Sequence, residues 1–219
     1  MPTLDTLLAF FGVSLLLGIT PGPDNLFVLV QSAQRGWRAG MAVVLGLCAG
    51  LVVHTTAVAL GLAALFAAST TAFAVLKYVG AAYLTWLAWQ ALRPRPDAVA
   101  EQGGGAAPAP IASPRQAGGL RRMVGRGVVM NLTNPKVLIF FLAFLPQFAD
   151  PARGSVALQI MVLGVVFMGA TLLVFGSIAL FSGAFGTLLL RSARAQRWIN
   201  RAAGLVFLGL AVRLATVDR

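Results

Sequence analysis

The sequence predicts an all-α polytopic membrane protein: a single domain of six transmembrane helices, arranged as two inverted three-helix repeats with helices one and four broken. Three observations predict it. The first is composition, with 58% hydrophobic and 11% charged residues among 219 and a mean hydropathy of +0.85. Soluble domains carry roughly 45–50% apolar and about 25% charged residues, so this chain has too little polar surface to solvate a globule. The second is a pair of apolar runs interrupted by proline at matching places in the two halves. The third is the confinement of arginine to alternate loops.

The spans are expected at 4–34 (broken near 20–24), 41–66, 71–92, 124–148, 155–181 and 198–217, about six at ~20 residues each. The first span begins at once, without a basic leading segment or a small-residue cleavage site, so no cleavable signal peptide is expected. Its interior reads "GITPGPDNLF", in which Pro21, Gly22 and Pro23 break the helix and Asp24 places a carboxylate inside an apolar run. Span two carries Cys48, His54 and the pair Gly46 and Gly50, a GxxxG that suits packing within one subunit or a homodimer face equally. Lys77 is expected at the outer interface of span three. The stretch 93–119, rich in Pro, Gly and Ala, reads as a flexible linker. It divides the single domain 1–219 into repeat one (1–92) and repeat two (120–219). Span four contains "NLTNPKVLIFF", broken at Pro135. Gln147 is expected to cap its end, and Asp150 and Arg153 to lie in a solvated outer loop. The lone cysteine excludes an internal disulfide.

The net charge of +11 at first points to nucleic acid, but the arginines sort by loop. Arg35 and Arg38 follow span one. Arg93, Arg95, Arg115, Arg121, Arg122 and Arg126 belong to the loop between spans three and four, and Arg191, Arg194, Arg197 and Arg201 to the loop between spans five and six and the start of span six. Only Arg153, Arg213 and Arg219 fall opposite. The positive-inside rule places the odd-numbered loops in the cytoplasm and both termini outside it. Trp37, Trp86, Trp89 and Trp198 then fall near the inner interface. Nucleic acid is not an expected partner; membrane lipid is.

Aligning Pro23 with Pro135 sets Gly22 against Asn134 and Asp24 against Lys136. Aligning Lys77 with Arg201 sets Gly80 against Gly204. Three spans per copy force the second copy to cross in the opposite sense. Secondary transporters built from such inverted repeats carry their sites where interrupted helices meet near the midplane.

Proline removes a backbone donor, and within lipid the freed carbonyls must find partners in the protein or in a water-filled cavity. Thr20, Asn25, Asn131, Thr133 and Asn134 can bond those groups or a ligand. Asp24 and Lys136 are costly in a bilayer, and such groups are paired or functional. Asp24 can hold an ammonium group or carry protons, and Lys136 can hold a carboxylate or neutralise Asp24; a zwitterionic amino acid matches both. A purely structural salt bridge between the two is the alternative. His54 is either a proton relay or a helix–helix hydrogen bond. There is no P-loop, zinc-binding helix motif or GxSxG, and one His with one Cys supplies no typical metal site. No cofactor is expected, nor catalytic residues.

Together "TPGPDNLFVL", "GLCAGLVVHTTAVALGLAAL", "LKYVGAAYLTWLAWQAL", "NLTNPKVLIFFLAFLPQF" and "RWINRAAGLVFLGLAVRLA" resemble the LysE/RhtB family of bacterial inner-membrane exporters of lysine, homoserine, threonine and related amino acids. The resemblance covers nearly the whole chain apart from the linker. It implies proton-coupled efflux of an amino acid or related metabolite by alternating access, with Pro21, Gly22, Pro23, Asp24, Asn134, Pro135 and Lys136 as the matching motif residues. The family has Asn or Asp after the second proline, so a carboxylate there is not required of every member. Two other functions remain open on the residues alone. An exporter of an inorganic ion or metal wants more acidic or sulfur ligands than Asp24, His54, Met130 and Met168 supply. An intramembrane enzyme needs a nucleophile with a base, or a metal cluster.

Overall fold

A computed structural model describes residues 1–20, 22–68, 70–93, 119–182 and 193–216. Pro21, most of the expected linker, and Arg95, Arg115, Arg191 and Arg219 lie outside them, as do the side chains of Lys77 and Arg213. The described elements are all helical. In chain order they are α1 (Leu4–Ile19), α2 (Pro23–Arg35), α3 (Trp37–Ala68), α4 (Thr70–Leu92), α5 (Leu120–Thr133) and α6 (Pro135–Ile139). A π turn over Phe140–Phe144 and 3-10 turns over Leu145–Phe148 and Pro151–Arg153 lead to α7 (Val156–Leu180) and α8 (Ala193–Thr216).

Among the described residues two helices are long and apolar enough to cross a membrane unaided, Trp37–Gly61 within α3 and Val156–Leu180. Two bent pairs pass the same test jointly. α1 and α2 meet at 64°, and α5 meets the segment Pro135–Phe148 at 55°. The chain is a multi-pass membrane protein, with two candidate spans among the described residues, or four if each bent pair is one span; six were expected. Within α8 the described residues include an apolar stretch, Asn200–Val212.

α3 lies at the centre, packed against both α5 and α7, while α4 pairs with α8 and α1 leans on α7. Small residues set the closest crossings. A Cβ on Gly46 would strike the Val124 carbonyl and the Cα of Gly127, and one on Gly50 would lie 2.6 Å from Asn131 Oδ1. Both glycines of the GxxxG thus face α5 of the same chain, so this motif is intramolecular packing and not a dimer face. Gly164 meets Thr55 in the same manner across the α3–α7 crossing.

Beside these seams, aromatic rings fill the core. Phe10, Phe140, Phe141 and Phe144 are essentially inaccessible. Phe10 meets Phe148 edge-on with ring centroids 5.0 Å apart, and Phe140 lies 4.7 Å from Phe144. Such pairs add ~0.5–1.5 kcal/mol beyond area burial. Trp37, Trp86, Trp89 and Trp198 all point outward, and the Arg93 guanidinium stacks over Trp89 at 4.3 Å. Asp150 and Arg153 form an ion pair of 3.3 Å in the connection between the π turn and α7, and both are exposed there, as expected of a solvated loop. Buried Gln159 pins that connection: its amide donates to the carbonyls of Asp150 (2.8 Å) and Gly154 (3.2 Å) and accepts from the Asp150 N–H (3.0 Å).

Candidate functional site

The site follows from a count of missing donors. In an α-helix each carbonyl accepts from the N–H four residues on. For Leu17 and Ile19 those residues are Pro21 and Pro23, which carry no N–H in any conformation. α1 therefore ends with open carbonyls, and side chains from other segments fill them. The Asn25 amide donates to Gly18 O at 2.8 Å. The Lys136 ammonium, from the far side of the chain, donates to Leu17 O and Thr20 O, each at 3.2 Å. Thr20 turns its hydroxyl back to Leu16 O at 2.7 Å.

The second break follows the same logic. Pro135 leaves Asn131 O without its helical partner. Asn134 N–H reaches that carbonyl at 3.2 Å, and His54 Nε2 at 3.3 Å. A carbonyl only accepts, so Nε2 carries the proton in this bond. His54 is buried, its ring 5.8 Å from that of Phe141. Thr133 turns back to Val129 O at 2.8 Å. Of the residues expected to bond freed carbonyls, the threonines therefore serve their own helix.

Asn134 joins the two breaks. Its Oδ1 caps α6 by accepting from Lys136 N–H at 3.0 Å, and its Nδ2 donates to Asp24 Oδ2 at 2.7 Å. Asp24, in the first turn of α2, is 5% exposed, and that position favours an acid beside the helix's positive end. Asp24 and Lys136 face one cavity of about 20 Å³, walled by Leu47, Val137, Phe167 and Phe175, with Asn131 and Thr171 at its side. That is room for about one water. No nitrogen–oxygen contact within 4 Å links the two charges, so a direct salt bridge, weighed from the sequence, is not the arrangement found; Asn134 ties Asp24 to the backbone N–H of Lys136, not to its ammonium. Three buried acceptors here have no partner: Asp24 Oδ1, Asn25 Oδ1 and Asn131 Oδ1. Gly22 opens α2 without a side-chain cap. Its missing Cβ makes room for Lys136, because a Cβ there would sit 3.3 Å from Nζ. The arrangement can accept a donor-rich cationic group on one side and offer a charged donor on the other. Among the described residues no three His, Cys, Asp or Glu side chains cluster as metal ligands.

The profile of the LysE type translocators matches residues 15–217, both breaks included. The chain belongs to that family. As a LysE type translocator it is a transporter, not an enzyme. It is 31% identical over 214 residues to a homoserine/homoserine lactone efflux protein of Salmonella typhimurium, covering 98% of each chain. It is 30% identical over 204 residues to a leucine efflux protein of an Enterobacter strain, covering 91% of this chain and 90% of the other. A membrane protein of Vibrio cholerae without assigned function is 30% identical over 211 residues, covering 95% and 96%. No solved structure matches.

Sequence reasoning did not single out Thr171, Phe167 or Phe175 of this translocator's cavity wall. They follow one another at four-residue steps along α7 (167, 171, 175), a stripe that reads from sequence as ordinary core.

Proposed function

We propose that this translocator exports a small amino acid or a close derivative across the bacterial inner membrane, exchanging the two sides' access to a site between the paired breaks. The observation that carries this reading is the small, half-open cavity faced by one carboxylate and one ammonium, Asp24 and Lys136. The unpartnered oxygens of Asp24 and Asn131 suit a substrate ammonium. Lys136 spends two of its three donors on α1 and keeps one for a substrate carboxylate. The names of the homoserine and leucine relatives agree with a side chain that is neutral and rests against apolar walls. The cavity is too small for any amino acid, so loading requires the helices to part around the breaks, consistent with alternating access.

The topology that goes with this reading has six spans in two inverted repeats (1–92 and 120–219), with both termini outside the cytoplasm. Equivalent pairings support it: α3 packs on α7 and α4 on α8, each a helix against its counterpart. Export is driven by protons, with Asp24 as the carrier, since a carboxylate bound to a single amide donor can take up a proton on its open oxygen. The test is efflux from cells loaded with labelled amino-acid pools, comparing wild type with Asp24→Asn and Lys136→Ala at equal membrane abundance. Retention of every amino acid by wild-type cells refutes amino-acid export; undiminished efflux by Asp24→Asn refutes the carrier role. A reporter fused to the C-terminus that is active only in the cytoplasm refutes the orientation.

A further inference from the structure

Lys136 is placed as a bound ion would be. Its Nζ is held by two backbone carbonyls, Leu17 O and Thr20 O, at 3.2 Å each, and it packs against the side of Gly22 that lacks a Cβ. Those carbonyls lie at the C-terminal end of the 16-residue α1, where the helix carries roughly half a negative charge. Across the same cavity stands Asp24 with its second oxygen unpartnered. Unwound carbonyls at a helix C-terminal end next to a carboxylate are the chemistry by which broken-helix transporters coordinate sodium. Here the cation arrives on a side chain.

We propose that the end of α1 is a monovalent-cation site whose resident cation is the chain's own Lys136 ammonium, and that the transporter therefore needs no sodium. The tethered charge satisfies Leu17 O, which Pro21 leaves open, and Thr20 O just past the helix end, and offsets Asp24 in every cycle without an ion being bound or released. Removing it exposes a site of carbonyl oxygens and a carboxylate that small free cations can fill, Na⁺ or a primary alkylammonium, whereas choline, which has no N–H and a bulky head, cannot. The transport arm of the test rests on the export reading; the binding arm does not.

The binding arm uses purified full-length protein in detergent, wild type and Lys136→Ala, melted in sodium, n-propylammonium or choline chloride at equal ionic strength. For Lys136→Ala, sodium or propylammonium should raise the melting temperature over choline by about 3 °C or more, saturably, with no such shift in wild type. No shift in the variant, or an equal shift in wild type, overturns the proposal. Lys136→Met, which keeps the stem and loses the charge, serves if the alanine variant does not fold. The transport arm uses wild type alone in proteoliposomes with a fixed pH gradient. The same initial efflux rate with sodium replaced by choline supports the proposal, and a sodium-dependent rate overturns it. Absence of efflux in both salts refutes amino-acid export instead, and the melting data then decide the cation site alone.

Discussion

Replacing Asn134 by alanine should cost more than any other single polar truncation near the cavity. Its side chain is 4% exposed and makes two bonds that nothing nearby can replace. The bond to Asp24 Oδ2, at 2.7 Å, joins an amide to a carboxylate, a class worth ~1.5–3 kcal/mol. The bond from Lys136 N–H, at 3.0 Å, is a helix N-cap, worth about 1 kcal/mol. Their sum is about 3 kcal/mol, and at roughly 2–4 °C per kcal/mol for a chain of this size the thermal midpoint should fall by roughly 6–12 °C. Asn134→Ser separates the two parts. Serine keeps an N-cap oxygen but does not span to Asp24, so it should lose about two thirds of that amount. The assay is loss of the monodisperse size-exclusion peak after heating, in detergent. An Asn134→Ala midpoint equal to wild type would show that the two breaks are not joined through this side chain. A serine variant as stable as wild type would show that the Asp24 bond contributes nothing.

Gly46→Leu should force α3 and α5 apart, since even a Cβ meets backbone there; overpacking costs ~1–3 kcal/mol, readable as lost monodispersity, whereas Gly12→Ala, with open space around it, should be silent or slightly stabilising. Gln159→Leu removes three hydrogen bonds that hold the connection 148–155, so protease cleavage in that connection should speed up while the rest of the chain stays resistant. His54→Gln, which can still donate to Asn131 O, should retain efflux, and His54→Ala should lower thermal stability by about 1 kcal/mol; abolished efflux in the glutamine variant at normal abundance would return His54 to a proton-carrying role.

Proline arithmetic makes both breaks legible in the sequence, because a missing N–H at 21, 23 or 135 frees a known carbonyl whatever the tertiary fold. What the arithmetic does not give is the donor that fills it. Lys136 comes from 119 residues beyond Leu17, and His54 from 77 residues before Asn131, and no local pattern encodes either meeting. The placing of Asp24 and Lys136 at one cavity was expected from the alignment of Pro23 with Pro135, but the link that Asn134 makes from Asp24 to the Lys136 backbone depends on a few ångströms of side-chain reach. The GxxxG of α3 was visible while its partner was not, since the answering surface, Gly127 and Asn131, carries no matching motif. The π turn over Phe140–Phe144 left no trace in sequence. Gln159 escaped notice because a single amide early in an apolar helix reads as interfacial.

The long reach of Lys136 also orders the birth of the protein. The ribosome delivers α1 and α2 more than a hundred residues before the side chain that completes them. During that interval the carbonyls of Leu17 and Thr20 must borrow partners from water, headgroups or the insertion machinery, because hydrocarbon offers none. The amino-terminal helices therefore wait, part-assembled, for the rest of the chain, and a fragment ending before residue 136 has no way to finish its own first bend.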